Sequence, residues 1–286
     1  MLWLAVHLPW LSLEAWMATL PDAQRAGPLA LLADHQVQAV NAAAAAAGVQ
    51  PGLKRATALA LAPALLLGQA DAARDAQALQ AVVHAALAFT PAVTADGAAT
   101  VLLEVAASLR YFGGPDALLA RLRRALQPLG HRVQIATAPT ALGAALLARW
   151  RDDLATGPHR NDLAALQQLL DAAPVWLLGP GREHWEALQG MGLRQLGDLR
   201  HLPRAGLARR FGEDLLDDLD RARGLRPDPR TWLAAPERFD ARVELAMRAD
   251  HAEQVLHGAA VLLARLVAWA QARHARVQAF VVLMQH

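Results

Sequence analysis

The chain contains no cysteine among its 286 residues. Without a thiol it can form no disulfide framework, no cysteine nucleophile and no thiolate metal site. Charged residues make up only 19% of the sequence and hydrophobic residues 55%, the reverse of what a disordered chain shows. The length allows about two or three compact domains. A folded cytoplasmic protein is the simplest interpretation.

Lysine and tyrosine are each present only once, as Lys54 and Tyr111. The formal net charge is only +2, but the sequence pI is about 9.8. The two figures agree because few groups other than Lys54, Tyr111 and the amino terminus lose a proton between neutral and very high pH. The high pI is therefore weak evidence for a polyanionic partner, and a stronger case must come from where the arginines lie.

The sequence also lacks an uninterrupted membrane span and the common catalytic motifs. Residues 255–272 are the best candidate span, but they include His257 and Arg265, whereas a span needs about 20 apolar residues. There is no glycine-rich phosphate loop with a lysine, no His-Glu-x-x-His and no calcium loop. We therefore expect no membrane association, and the scattered histidines give no metal-binding pattern.

Two periodicities alternate along the first half of the chain. Short apolar runs predict strands, and longer segments with apolar residues three or four apart predict helices. Strands are predicted at residues 2–6, 29–32, 37–40, 101–105 and 132–136, and helices from Leu11, after Asn41, and at 56–61, 71–87, 115–129 and 140–150. This alternation indicates an α/β or α+β layer with helices packed on a sheet.

The second half follows a different pattern. Between Trp176 and Arg226 the sequence predicts only short helices separated by glycine-containing turns, and residues 227–236 form a proline-rich linker. Beyond the linker we predict a strand at 239–245, a helix at 251–273 and a strand at 277–284.

One local pattern has a mechanism for binding DNA. Residues 186–199 predict a helix, a glycine hairpin and a second helix, an arrangement that aims backbone N–H groups and a helix N-terminus at a phosphate. A pair of helices with no ligand explains the same pattern. The candidate DNA-binding residues are the hairpin, an arginine beside it and three arginines near the end of the sequence: Gly190, Met191, Gly192, Arg194, Arg242, Arg273 and Arg276.

The order of these parts resembles the Y family of translesion DNA polymerases over essentially the whole chain. Residues 4–14 are similar to the family's opening Asp-x-Asp-x-x-x-x-Ser-Val-Glu motif, and residues 41–53 to its fingers segment. Residues 108–114 and 133–137 resemble later palm elements, and 186–199 the thumb hairpin. The resemblance implies an α+β right hand with the following parts: palm at 1–22 and 76–165, fingers at 23–75, a helical thumb with a helix-hairpin-helix at 166–232, and a partial little finger at 233–286.

The sequence departs from this family at the metal site. Family polymerases hold two magnesium ions with three carboxylates, and the corresponding positions here are Ala5, Ala99 and Thr100. His7 stands at the second aspartate of the opening motif. The resemblance therefore implies that the carboxylates needed for catalysis are missing. We expect no catalytic residue, no metal site and no cofactor.

The fingers segment also departs from the family pattern by losing functional side chains. Ala42 and Ala45 stand where the family has the tyrosine and the arginine that hold the triphosphate. An alanine side chain cannot donate a hydrogen bond to phosphate. Two acids, Asp96 and Glu104, lie near the metal positions in the sequence, but one or two displaced acids do not make an octahedral oxygen site.

These losses resemble a catalytically inactive branch of the family that serves bacterial mutasomes. The resemblance implies a scaffold in the cytoplasm, at the nucleoid, that binds primed or damaged DNA without sequence preference. It also implies three protein partners: the replicative sliding clamp, an ImuA-type protein and a DnaE-type error-prone polymerase. Clamp binding in this group uses a peptide after the little finger. Because the sequence ends in the predicted second strand of that part, we expect a truncated chain without the peptide.

Two other functions stay open at this point. An active translesion polymerase with a rearranged metal site would need Mg²⁺ and would extend a primed template. A helix-hairpin-helix DNA-binding module unrelated to polymerases would have no palm-like sheet around residues 2–6, 101–105 and 132–136.

Overall fold

The computed structural model describes residues 1–154, 157, 159–246, 248–249 and 251–284. The chain divides into two compact units, each of which is discontinuous in sequence. The first unit comprises Met1–Pro9, Phe89–Leu119 and Val133–Ala234. The second unit comprises Trp10–Ala88, Ala120–Arg132 and Ala235–His286.

The described residues contain seven strands and fourteen α-helices. The strands are β1 (Trp3–His7), β2 (Leu29–Ala33), β3 (Gln36–Val40), β4 (Leu66–Gln69), β5 (Val93–Ala95), β6 (Thr100–Glu104) and β7 (Gln134–Ala138). The helices are α1 (Leu11–Met17), α2 (Asp22–Arg25), α3 (Ala42–Ala46), α4 (Arg55–Leu61), α5 (Ala72–Leu87), α6 (Leu109–Phe112), α7 (Pro115–Leu126), α8 (Ala141–Trp150), α9 (Leu163–Ala172), α10 (Gly179–Glu183), α11 (Trp185–Gly190), α12 (Arg204–Phe211), α13 (Glu213–Ala222) and α14 (Ala252–Ala272).

A four-stranded antiparallel sheet in the order β5, β6, β1, β7 forms the centre of the first unit. β1 is bonded on both sides, so that Ala5 lies opposite Leu102 of β6 and Ala136 of β7. Four of its five residues are buried, and only His7 is partly exposed. The strands predicted around 2–6, 101–105 and 132–136 are thus present in one sheet. This sheet contradicts the alternative of a DNA-binding module without a palm-like sheet.

Helix α8 packs across β1 and β7 and connects the sheet to the short helices that follow. The Thr140 hydroxyl, at the N-cap of α8, donates to the Ala222 carbonyl at the end of α13 (2.7 Å). Asp171 of α9 accepts from Arg223 at 2.5 Å and from Arg200 at 2.6 Å. The sheet, α8 and α9–α13 therefore share one apolar core within the first unit.

A three-stranded sheet in the order β3, β2, β4 forms part of the second unit. β2 and β3 are antiparallel, whereas β2 and β4 are parallel and are joined through α3 and α4. The turn between β2 and β3 places Asp34 and His35 at positive φ angles of 48° and 65°. The predicted pair of strands followed by small helices is therefore confirmed, and β4 is an additional strand that the sequence did not predict.

Helix α14 packs along α5 in the second unit. Within the described part of the chain it is the one helix long and apolar enough to cross a membrane by length and composition. That is weak evidence, because the core helix of a soluble protein passes the same test. Its Arg265 is 8% exposed and donates to the side chain of Gln77 on α5 (3.3 Å).

Two strand predictions in the second unit are wrong. Residues 239–245 and 277–284 have no regular secondary structure, and no strand among the described residues pairs with either segment. A strand needs a neighbouring strand to satisfy its N–H and C=O groups. Without one, the apolar side chains of the last segment stay in solvent, and Val281 and Leu283 are 83% and 82% exposed.

Close packing at Gly68 of β4 gives a testable prediction. A Cβ atom at this position would lie 2.3 Å from Cε2 of Trp16, which is 5% exposed in α1. Gly68→Ala should therefore lower the free energy of unfolding by about 1–3 kcal/mol, as other overpacked cores do. Urea unfolding followed by circular dichroism measures the change.

Gly206→Ala is the control for that experiment, because nothing lies within 4 Å of the added Cβ in helix α12. Alanine is the better helix former by about 1 kcal/mol, so this variant should be as stable as the parent or more so. Equal stability of Gly68→Ala and the parent would contradict the packing described here.

Candidate functional site

The residues that stand at the expected metal positions lie on β1 and at the start of β6. Ala5 is completely buried and contacts the apolar cluster that includes Leu102 and Ala136. Thr100 is 1% exposed, and Ala99 precedes it at the end of the β5–β6 turn. A magnesium ion in a protein keeps oxygen ligands and several waters. A methyl group enclosed by other apolar side chains supplies neither an oxygen nor the space.

His7 lies opposite Thr100 in the register of β1 and β6, and its Nδ1 is 3.0 Å from the Thr100 hydroxyl oxygen. Burial lowers the pKa of His7 to about 4, with a further contribution from the positive charge of Arg149. The imidazole is therefore neutral at neutral pH. The position of the second aspartate in the opening motif thus holds a neutral hydrogen-bonding pair.

The two acids nearest to these positions in the sequence are both engaged in structural contacts. Asp96 pairs with Arg149 and with Arg230, the latter at 2.7 Å. Burial alone would raise the pKa of Asp96, but the two guanidinium groups outweigh it and the pKa lies below its usual range. Glu104 Oε1 accepts from the backbone N–H of Leu2 (3.1 Å) and Ala106 (3.2 Å).

No group of three or more potential metal ligands occurs in the part of the chain that the structure describes. The acids that remain near β1 and β6 are held by arginines or backbone amides. Neither arrangement is the cluster of carboxylate oxygens that holds divalent cations in phosphoryl-transfer sites. The residues present therefore do not fit a bound magnesium ion.

The predicted phosphate-binding positions of the fingers lie on α3. Ala42 and Ala45 are exposed on this helix of five alanines. Asn41 caps it, accepting from the N–H of Ala44 and of Leu29 (both 2.9 Å) and donating to the Gly27 carbonyl (2.7 Å). The surface that α3 offers to solvent at these two positions is therefore methyl groups without donors.

The structure around the glycine turn at 190–192 differs from the predicted pair of helices. Helix α11 ends at Gly190, and Gly192 has a φ of 80°, as a tight turn requires. The chain then runs beside Pro174, forming a bridge between Pro174 and Gln195, and continues as a 3₁₀ helix at Asp198–His201. The second α-helix of the predicted hairpin is therefore absent, because these residues pair with the backbone around Pro174.

The backbone N–H groups of this turn are used internally. Those of Met191, Gly192 and Leu193 donate to carbonyls of α11. Those of Arg194 and Gln195 both donate to the Asp198 carboxylate at 2.9 Å, and these bonds lower the pKa of Asp198. A carboxylate of the chain itself thus occupies the position that a phosphate would take at Arg194 and Gln195. DNA binding at Gly190, Met191 and Gly192 stays a prediction. The amides of Arg194 and Gln195 cannot take part in it while they donate to Asp198.

The arginines of the helical region fall into two classes. Several are held by acids: Arg200 by Asp171, Arg204 by Asp220, Arg221 by Asp218, Arg223 by Asp171 and Arg226 by Asp217. Others are exposed and have no ion pair among the described residues: Arg182, Arg194, Arg209 and Arg210. The second class can contact a polyanion without first breaking an ion pair with an acid of the chain.

The candidate arginines of the second unit are also exposed. Arg242 lies in the segment before α14, and Arg273 and Arg276 follow that helix. None of the three has an ion pair within the described ranges. Sequence reasoning missed Arg182, whose guanidinium lies 5.7 Å from the ring centroid of Trp176. Gly179 and Gly181 indicated a turn at this point of the sequence. They gave no sign that the arginine after them would be exposed beside Trp176.

Residues 14–149 match the model of the impB/mucB/samB family, abbreviated IMS. The matched segment is just under half of the chain. The chain is also 37% identical over 185 residues to Protein ImuB of Caulobacter vibrioides, in each of two strains. That alignment covers 65% of this chain and 40% of the relative, so the chain spans about two fifths of the ImuB proteins that it matches.

Solved structures of Y-family DNA polymerases share the fold of this chain. An insertion ternary complex of Dbh DNA polymerase superposes with a TM-score of 0.61 at 16% identity, covering 80% of this chain and 69% of Dbh. DinB from Sulfolobus solfataricus gives 0.60 at 16% identity with the same coverage. The predicted Y-family polymerase-like α+β fold and the resemblance to the ImuB branch are confirmed.

The pKa of His7 leads to a prediction about stability. In the unfolded chain a histidine binds a proton near pH 6.5, but folded His7 does so only near pH 4. Between these values the unfolded state binds more protons, so stability rises with pH in this window. His7→Gln should remove the part of this rise in stability that comes from His7, while keeping a hydrogen-bonding group beside Thr100. Urea unfolding at several pH values between 4 and 6.5 measures it.

The matched control for that titration is His201→Gln, at an exposed histidine in the 3₁₀ helix. It makes the same substitution outside the sheet, so it measures what the exchange of histidine for glutamine does to stability by itself. If His7→Gln and the parent show the same slope, His7 is not the buried neutral imidazole described above.

Proposed function

We propose that this chain is a non-catalytic, DNA-binding scaffold in damage-induced mutagenesis. One observation carries the proposal. On a Y-family polymerase fold, the metal positions hold the buried methyl of Ala5 and a neutral pair of His7 and Thr100, while Asp96 and Glu104 serve other contacts. Phosphoryl transfer in this fold depends on metal ions that neutralise developing charge. Such a chain keeps the fold of a DNA polymerase without the groups needed to extend a DNA primer.

The proposed partners follow from the resemblance to the ImuB branch. They are primed or damaged DNA, the sliding clamp, an ImuA-type protein and a DnaE-type polymerase that performs the synthesis. The scaffold works in the cytoplasm, at the nucleoid, and needs no metal or other cofactor. The relatives extend well beyond the part matched here, and we assign the contacts with the protein partners to that additional length.

The second candidate is an active translesion polymerase with a rearranged metal site, favoured by the polymerase fold of the solved neighbours. Primer extension separates the two. We expect no template-dependent nucleotide insertion by the purified chain with Mg²⁺ or Mn²⁺, under conditions in which an active Y-family polymerase extends the same primer. Extension that survives purification to homogeneity, and that scales with protein concentration, would establish the second candidate and overturn the scaffold.

DNA binding is proposed to depend on exposed, unpaired arginines. Arg194→Ala combined with Arg276→Ala should weaken binding to a primed duplex to a similar degree for unrelated sequences. Because each lost phosphate contact removes about 0.9 from the slope of log affinity against log salt, the double variant should lower that slope by about 2. Fluorescence anisotropy at several salt concentrations measures both quantities.

Arg204→Ala is the matched control for that measurement. Arg204 is also exposed, but its guanidinium is bound to Asp220 at 2.6 Å. Its removal should leave the salt slope unchanged. Equal slopes for the parent and the double variant would remove Arg194 and Arg276 from the contact surface.

A further inference from the structure

Helix α14 has a second apolar face, in addition to the one that packs on α5. Along it, Leu256, Leu263 and Val267 are 66%, 39% and 54% exposed. Ala260, which lies between them, is also exposed. Single apolar residues are ordinary on a protein surface, whereas a contiguous apolar patch marks an interaction site. These four residues form an apolar row that the second unit leaves in solvent.

The spacing of the apolar row is that of a helix that pairs with another helix. Its members follow one another at intervals of four, three and four residues, as the a and d positions of a heptad repeat do. The two leucines take the d positions, and Ala260 and Val267 the a positions. Leucine at d with a β-branched residue at a favours two helices over larger assemblies. The row is about 17 Å long, which corresponds to about three turns of a partner helix.

A groove between α14 and the end of α7 continues the apolar row. Val267 and Ala264 line it from α14, and Ala125 and Pro128 line it from the other side. These residues all belong to the second unit. The groove has a volume of about 270 Å³, below the range of roughly 300–1,000 Å³ that is usual for small-molecule pockets. It therefore suits side chains that project from a partner better than a free ligand.

The groove is lined by positive charge and by no carboxylate. Arg121 and Arg124 of α7 are exposed and belong to its lining, which includes no acidic residue. A partner helix with aspartate or glutamate beside its apolar residues would place carboxylates against these guanidinium groups. A second copy of α14 would not, because the single acid of this helix, Glu253, precedes the apolar row. Charge complementarity therefore selects an acidic helix of another protein.

We propose that the apolar row of α14 and the adjoining groove form a docking surface for an acidic amphipathic helix of another protein. The partner helix lies along α14, with its apolar side chains against the row and its carboxylates against Arg121 and Arg124. Amphipathic helices commonly bind apolar grooves in this way. This surface lies in the described part of the chain, apart from the contacts assigned above to the additional length of the relatives.

A membrane surface fits this face less well. Helices that lie in a membrane interface carry lysine and arginine on their own polar face. The one arginine of α14, Arg265, is only 8% exposed and donates to Gln77 of α5. The exposed arginines beside the apolar row belong to α7 instead. They are placed to contact a helix lying in the groove.

Binding of a designed peptide tests the charge preference of the surface. The probe is a fluorescein-labelled helical peptide with leucine at its a and d positions and glutamate beside them, and a second peptide has lysine in place of every glutamate. The parent protein should bind the glutamate peptide at least about tenfold more tightly, as measured by fluorescence anisotropy. Arg121→Glu combined with Arg124→Glu should reverse the preference, because the groove then presents carboxylates.

Val267→Gln tests the apolar part of the surface. Because Val267 lines the groove and is 54% exposed, this change should weaken binding of the glutamate peptide at least about tenfold while the protein stays folded. Leu61→Gln is the matched control, since Leu61 is 48% exposed on α4 and lies outside the groove. Arg55→Glu, at an exposed arginine of the same helix, is the control for charge. Both controls should bind the peptide as the parent does, and circular dichroism verifies the fold of each variant.

Three outcomes overturn the proposal. In the first, neither peptide binds, both bind equally, or Val267→Gln and Leu61→Gln weaken binding alike. In the second, analytical ultracentrifugation shows a dimer of the parent that Val267→Gln abolishes, so that a second copy occupies the surface. In the third, the parent cosediments with phosphatidylglycerol vesicles, Val267→Gln does not, and excess glutamate peptide fails to compete, so that a membrane is the occupant.

Discussion

The first unit depends on the pairing of its central strand. β1 is bonded to β6 on one side and β7 on the other, and four of its five residues are buried. A strand enclosed in this way can carry only side chains that fit an apolar interior or find a partner there. Ala5 meets the first condition and His7, bonded to Thr100, meets the second. The same pairing that builds the fold therefore excludes an unpaired carboxylate at the centre of the sheet.

Acidic side chains of the first unit also have partners within the chain. Asp96 and Asp171 each hold two arginines, and Asp198 holds two backbone amides. Asp96 joins the sheet to α8 and to the linker, and Asp171 joins α9 to Arg200 and Arg223 within the first unit. The proposed DNA contacts are thereby restricted to arginines that no acid has taken. A net charge of only +2 is compatible with a DNA-binding surface made of the remaining arginines, because many of the other arginines are paired with acids of the same chain.

Much of the fold was predictable from local sequence pattern. Five of the seven strands and the helices after Leu11 and Asn41 follow apolar runs that end near proline, asparagine or glycine. β4 and β5 were missed because they are only four and three residues long. The strands expected at 239–245 and 277–284 failed for the opposite reason. The first segment alternates between apolar and polar residues and the second is an apolar run, but a strand forms only where another strand pairs with it.

The sequence by itself determined which side chains stand at positions 5, 42, 45 and 99. All four are alanine, and an alanine side chain cannot coordinate a cation or donate a hydrogen bond to a phosphate in any fold. Only the tertiary structure decided which charges remain available. Asp96 is held by arginines 53 and 134 residues away, and the amides beside Arg194 are occupied by Asp198. The partner of a charge or of a backbone amide is whichever group lies within hydrogen-bonding distance in space, and that distance is set by the packing of the whole unit.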